Sequence, residues 1–405
     1  MKQEDFEFDG DLYFDNTYRI IYSTDASPYK ERPLAVAFPK TSKDIQSLIA
    51  YAKQHKTSLI PRGAGTSLAG QVTGNGIVVD VSRYMNKIIE IDVKEKKVKV
   101  QPGVILSELN QYLAEFGLFF GPETSTANRC TLGGMSGNNA CGLHSLIYGS
   151  TRDHTESIKA VLSDGSEVEF SAISGKEFSE KLKFQNSEGS IYRHINSLLN
   201  ESEMLREIDV QYPEKEIPRR NTGYALDLLS DCNVFREDSV KDFNFSKLLS
   251  GSEGTLAFVT ELTLNILDLP PKNKALAVVH FKSLEDALKA NLIALKYKPG
   301  AVELMDEAIL DLAKSSAGLE KNREIIEGDP GAVLMIEFAR DLKEEIHDIA
   351  ESLENEMRAA GYGYHFPLVW NEDIKKVWDL RRAGLGVLSN IPGDERPVSL
   401  VEDTA

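Results

Sequence analysis

Arg62-Gly63-Ala64-Gly65-Thr66-Ser67 puts a guanidinium, two residues without side chains and two hydroxyls into six consecutive positions. Glycine lets peptide N–H groups converge into a concave nest, hydroxyls add donors and arginine adds charge. The chemistry on offer is the binding of an anion such as a phosphate. The string is neither of the usual nucleotide fingerprints. No Gly-Lys-Ser/Thr closes it, and Leu68 takes the place where G-x-G-x-x-G needs its last glycine. By itself it also fits an ordinary glycine-rich turn.

Two further segments share this character. From Gly121 to Gly149 (GPETSTANRCTLGGMSGNNACGLHSLIYG), Gly, Asn and hydroxyl residues crowd out any helical or strand periodicity. A disordered linker is the plain alternative, but Cys130, Leu132, Met135, Cys141, Leu143, Leu146 and Ile147 all favour burial. An ordered loop laid against a ligand with a long polar spine, such as a dinucleotide, suits the stretch better. The third segment, Leu249-Ser250-Gly251-Ser252-Glu253-Gly254-Thr255-Leu256-Ala257-Phe258-Val259, runs from a tight glycine turn into a β-rich run.

The elements that must position these loops can be read coarsely. Residues 1–32 form an N-terminal arm. Strand LAVAF, helix SKDIQSLIAYAKQH and strand SLIPR lead into the first loop, and the short strands IVVDVS, KIIEIDV and KKVKVQPG follow. The helix SELNQYLAEFG precedes the long loop, and an α+β stretch runs on to about residue 267. Residues 171–216 are polar and weakly patterned and read as a surface insertion. Pro270-Pro271 punctuates the chain. Beyond it the pattern strand–helix–strand–strand–helix defines a second α+β domain. The domain boundaries expected are 1–32, 33–268 and 273–405.

Composition excludes some classes of partner. The formal charge of −17 disfavours nucleic acid and anionic membrane. No apolar run approaches the roughly 18 residues of a spanning helix, and the first residues lack signal-peptide character, so a cytoplasmic location is expected. Three cysteines without C-x-x-C spacing give neither a disulfide framework nor an iron–sulfur site. Seven histidines show no metal-ligand spacing. His144, inside the long glycine loop, stands out among them as a candidate for catalysis.

Taken in order and spacing, PRGAGTSLAG, PGVILSELNQYL, GPETSTANRCTLGGMSGNNACG, RRNTGYALDLL and GSEGTLAFVTELTL resemble FAD-linked dehydrogenases of the vanillyl-alcohol-oxidase (PCMH-type) flavin fold. The likeness is to the D-2-hydroxyacid branch, whose members oxidise D-lactate, glycolate or D-2-hydroxyglutarate, and most to long bacterial members fused to an iron–sulfur module. The resemblance implies an α+β flavin domain of two subdomains followed by a partial ferredoxin-like cap. It implies that Arg62, Gly63, Ala64, Gly65, Thr66 and Ser67 meet the FAD pyrophosphate. Pro122, Glu123, Thr131, Gly133, Gly134, Asn138, Ala140, Cys141, Gly142 and Leu143 would surround the ribityl chain and flavin ring. Glu253, Gly254 and Thr255 would complete the wall, with Asn221, Gly223 and Tyr224 nearby. Thr66 occupies the place of the attachment histidine of covalent members, so FAD is expected to be noncovalent. Cys130 and Cys141 are the alternative attachment points.

The same resemblance makes Arg381, three residues after Trp378, the grip for a substrate carboxylate, because a guanidinium fork matches a carboxylate bidentately. Arg396 is expected as a second anion contact. A surface arginine paired with Asp379 or Glu395 is the plainer account of Arg381. The branch draws a divalent metal and its base from a His-rich motif that has no match here. Val398–Ala405 reads as an incoming strand, so that motif and any iron–sulfur module are expected beyond Ala405. The implied partners are a small anionic 2-hydroxy acid and an electron acceptor (an iron–sulfur module, a quinone or a cytochrome chain), with homo-oligomers possible and peripheral membrane contact only through such carriers. Rival functions are an FAD-dependent oxidase of a non-carboxylate alcohol or sugar, and an inert flavin-binding or electron-relay subunit.

Overall fold

The computed structural model describes residues 7–215, 217, 220, 223–314 and 319–388. Asn221, Thr222, Glu395, Arg396 and the segment 398–405 lie outside them. The chain divides into two compact units. The first holds most of the chain up to Asp268, and the second comprises Leu143–Tyr148 and the chain from Leu269.

The first unit contains two main sheets. In the smaller, Ala35–Phe38, Ile77–Asp80 and Leu59–Arg62 run parallel, and Asp11–Tyr13 adds an antiparallel edge. Every residue of Ala35–Phe38 and Ile77–Asp80 is buried, as expected of parallel strands covered on both faces. The helix Ser42–Gln54 packs here through Ile45, Leu48 and Tyr51. Thr41 and Asp44 close a capping box at its start, which satisfies donors that a helix otherwise leaves orphaned. The larger sheet is antiparallel, in the order Ile88–Asp92, Lys97–Val100, Phe258–Asn265, Thr155–Val161, Glu167–Phe170. Its central strand alternates buried and half-buried residues without a break, the period of a sheet with one face in the core.

The segment expected as a surface insertion is part of the core. Helices Gly175–Lys181, Ser187–Leu199 and Ser202–Gln211 bury Phe178, Tyr192, Leu199 and Ile208. Phe178 and Tyr192 join Phe170, Phe243 and Phe245 in a cluster of edge-on and tilted rings, the closest pair 4.7 Å between centroids. In Ser187–Leu199 the apolar residues Ile191, Tyr192, Ile195, Leu198 and Leu199 recur at helical spacing and turn to the core, as Met204, Leu205 and Ile208 do in the next helix, a stripe diluted in the sequence by the polar residues around it.

The second unit is an antiparallel sheet in the order Ala301–Asp306, Ala332–Arg340, Asn273–Phe281, Leu368–Trp370. Helices Leu284–Lys296 and Lys343–Ala359 cover one face, giving the ferredoxin-like βαββαβ order. Helix Glu372–Leu388 contributes Val377 and Leu380 to the opposite face with Leu276, Val278, Met305, Val333 and Met335. The fold is thus α+β, with an additional sheet domain.

Candidate flavin cleft

The strand Leu59–Arg62 delivers the first glycine loop at its end. Gly65 has φ +67°, and a side chain there would stand 2.6 Å from the Arg62 Nη2 folded beneath it. Arg62 Nη1 donates to Thr24 O at 2.9 Å, and its guanidinium lies 5.0 Å from the centre of the Tyr22 ring. The N-terminal segment therefore fixes the loop's arginine, and Ala26 N–H donates to Gly65 O at 3.0 Å.

The second loop folds into a short helix, Leu132–Asn138, whose cap Thr131 accepts from Gly134 N–H at 3.3 Å. Gly133 N–H donates to Pro102 O at 2.8 Å. A Cβ on Gly63 would meet Thr131 Oγ1 at 2.1 Å, and one on Gly133 would meet Pro102 Cβ at 2.5 Å. Glycine at 63 thus lets the first and second loops touch, and glycine at 133 lets the helix start sit on the Pro102 turn. Gly142 makes the tightest crossing, since a Cβ there would coincide with the carbonyl of Glu123.

The third loop lies along that helix. Gly251 N–H donates to Ser136 O at 2.8 Å and Glu253 N–H to Gly137 O at 2.9 Å. Glu253 takes φ +51°, an uncommon conformation for a residue with a side chain. Arg152 ties the group from behind. Its buried guanidinium donates to Ser250 O at 2.9 Å and Gly223 O at 3.0 Å, and its N–H donates to Asn139 Oδ1 at 2.9 Å. Burial lowers the Arg152 pKa, and backbone carbonyls stand in for the lost water. Tyr224 and Thr255 hydroxyls meet at 2.6 Å.

Between the loops opens a cleft. Arg62, Gly63, Ser67, Gly133, Gly134, Asn138, Glu253 and Gly254, all singled out in the sequence, line it. Ala64, Gly65 and Thr66 share the first loop but do not line the cleft, while Pro122, Thr131 and Cys141 are buried. Glu123, Ala140, Gly142, Tyr224 and Thr255 belong to the same unit without lining the cleft, whereas Leu143 and His144 group with the second unit. The lining also includes Pro61, Gln71, Val72, Val81, Pro102, Gly137, Leu249, Ser252 and Ala257–Val259. Several of these sit inside the motif strings and were legible there. Pro102 opens the string PGVILSELNQYL, whereas Val81, at a strand end, carried no signal of its own.

The cleft suits a dinucleotide flavin. Its walls alternate apolar side chains with bare peptide planes, and a Cβ on Gly137 would find only Glu253 Cα, at 3.8 Å, so this glycine leaves room for a guest. Charges are few, with Arg62 against Glu253, whose carboxylate accepts from Gln71 at 3.3 Å. Such a site binds mainly through backbone donors and shape.

In the second unit, His144 Nε2 lies 2.8 Å from Glu337 Oε1, with Lys274 Nζ 3.8 Å from the same oxygen. Burial works to raise the Glu337 carboxyl, but the hydrogen bond and charge of His144, with Lys274 and Trp378, outweigh it and hold it below the ordinary value. Arg381 places Nε and Nη2 at 3.0 and 2.9 Å from Glu303 Oε2. The pairing with Asp379 is not formed, because Asp379 is taken by Lys375 and Arg382. Among the described residues no cluster of three or more His, Cys, Asp or Glu could hold a metal, and no helix is long and apolar enough to cross a membrane.

Residues 33–171 match the family described as FAD binding domain, and residues 270–405 match FAD linked oxidases, C-terminal domain. The D-2-hydroxyglutarate dehydrogenase of Haemophilus influenzae is 36% identical over 98% of this chain, and that of Escherichia coli 35% over 98%. The chain spans 39% of the length of each. A solved structure of alkyldihydroxyacetonephosphate synthase superposes on 94% of this chain and 65% of its own with TM-score 0.62 at 17% identity, a likeness of fold. Fold and cleft together define an FAD-binding protein of the vanillyl-alcohol-oxidase type. The chain belongs, within that class, to the FAD-linked dehydrogenases related to D-2-hydroxyglutarate and D-lactate dehydrogenases.

Proposed function

We propose that this chain is the flavin- and substrate-handling part of a dehydrogenase that oxidises a D-2-hydroxy acid to the 2-oxo acid. The observation that carries the reading is the cleft walled by three glycine loops, joined to the relatives' activity on D-2-hydroxyglutarate. Arg62, Ser67 and the backbone of Gly63, Gly133, Gly134 and Gly254 would hold FAD. FAD there supplies a two-electron acceptor for the substrate's α-hydrogen. Burial pushes the Cys130 thiol up against only partial relief from hydrogen bonds to Thr124 and Thr126, which keeps it a poor nucleophile and favours noncovalent cofactor.

Arg381 would grip the substrate carboxylate. Glu303 takes Nε and one edge of Nη2, which orients the guanidinium and leaves the Nη1 side for a second carboxylate. His144, whose ring Glu337 Oε1 fixes through Nε2, is the candidate within this chain to take up the hydroxyl proton, as the alternative to a base from the His-rich motif that the resemblance implies. In a longer protein, a divalent metal, an iron–sulfur module or another carrier would complete the path for charge and electrons.

The test is a substrate panel with an artificial electron acceptor, run on the longest native form. D-specific turnover of 2-hydroxy acids, 2-hydroxyglutarate among them, is expected. Turnover confined to alcohols or sugars without a carboxylate would replace this reading with an oxidase of that class.

A further inference from the structure

The helix Leu284–Lys296 is built inside out. Ala287, Ala290, Ile293 and Ala294 face the sheet and are buried, while Leu284, Leu288, Leu292 and Leu295 are 44%, 56%, 67% and 40% exposed. Their spacing places all four leucines on one stripe of the helix. A surface helix ordinarily turns its large apolar residues inward, and a continuous leucine stripe facing water marks a surface that something covers.

The charges beside the stripe say what fits. Glu285, Lys289 and Lys296 fall on the same flank, with Glu285 bound to Lys289 at 2.6 Å and Lys296 bound to Glu356 of the next helix at 2.6 Å. The flank is acidic at the start of the helix and basic at its end. We propose that a second copy of this chain docks here, helix against antiparallel helix about a two-fold axis, with Leu288 of each copy on Leu292 of the other.

An antiparallel pairing sets Glu285 of one copy beside Lys296 of its partner copy. The row Lys289, Glu285, Lys296, Glu356 then alternates in sign across the interface. A parallel pairing about a two-fold axis would carry the charged flanks of the two copies to opposite sides of the seam, where Glu285 and Lys296 cannot meet, and would align the two helix dipoles, which is unfavourable. The same patch serves both copies, as a two-fold interface requires. Four leucines are only the centre of the about 800 Å² per partner typical of a stable complex, so the dimer is reversible.

Sedimentation velocity of the FAD-loaded 405-residue chain is expected to show a monomer–dimer equilibrium that shifts with concentration. Leu292→Glu should weaken dimerisation by at least about tenfold while FAD retention, which reports folding, stays unchanged. Glu285→Lys and Lys296→Glu should each weaken it, and combining them in one chain should restore it. A chain that stays monomeric at every concentration overturns the proposal and assigns the stripe to a different partner. A dimer that survives Leu292→Glu, or charge changes that fail to compensate, overturns it equally.

Discussion

Gly63 shows how much of the cleft rests on missing atoms. A Cβ would stand 2.1 Å from Thr131 Oγ1, where the first two loops meet. Gly63→Val should therefore push the loops apart and raise the FAD dissociation constant by at least about tenfold, measured by flavin fluorescence on reconstitution. Unchanged affinity in a folded variant would show that the loops do not need that contact. The composition of these loops was legible in the sequence, and so were eight of the residues that line the cleft. Partners were not: Thr24 beneath Arg62 and Glu303 beneath Arg381 are far away in sequence and belong to no motif. Arg381→Ala should lower kcat/KM for a 2-hydroxy acid roughly ten- to a hundredfold in the longest active form, as loss of a charge-assisted contact would. An equal effect on a neutral alcohol substrate would show that the arginine does not read the carboxylate.

At the scale of elements, strong patterns announced themselves and sparse ones hid. The helix Ser42–Gln54 shows a cap and an apolar face, and the strand Phe258–Asn265 alternates. The helices after Gly175 carry apolar faces diluted by polar residues, and their aromatic anchors find partners on distant strands. The strand Asn273–Phe281 contains a buried group that the pattern of strands could not flag. His280 sits wholly inside, its Nδ1 2.9 Å from Val278 O and its Nε2 accepting from Glu327 N–H at 3.2 Å. Burial pushes its pKa down to about 4 from 6.5. The unfolded chain thus takes up a proton between these values that the folded chain refuses. Stability is full above pH 6.5 and falls as pH drops towards 4, by up to about 3 kcal/mol from this group. Urea unfolding of wild type and His280→Gln across that window should show the variant losing less. Identical pH profiles would assign the acid sensitivity to other groups.

For the whole molecule, five motifs in register carried the resemblance to the α+β flavin-domain class, and the three glycine loops among them supply much of the cleft lining. The core role of residues 171–216 was missed although Ile191, Tyr192, Ile195, Leu198 and Leu199 form a helical apolar face, because the polar residues around it dominate the composition of the segment. The purified chain should be yellow or take up FAD, and acid precipitation should leave the flavin in the supernatant. Flavin staying with the pellet would point to attachment at Cys130 or Cys141.

The order in which the chain is synthesised gives the larger sheet a further meaning. Its central strand, Phe258–Asn265, is the last of the five to leave the ribosome, and it must slot between Lys97–Val100 and Thr155–Val161, which have waited for it. The third glycine loop immediately precedes that strand. The cofactor's site is therefore finished by the same event that closes the core. Until then the nascent chain has two unpaired strand edges and no complete place for a flavin, a state exposed to aggregation. Supply of the cofactor at that moment would pull folding to completion by mass action, so flavin scarcity in the cell should appear first as lost protein rather than as empty protein.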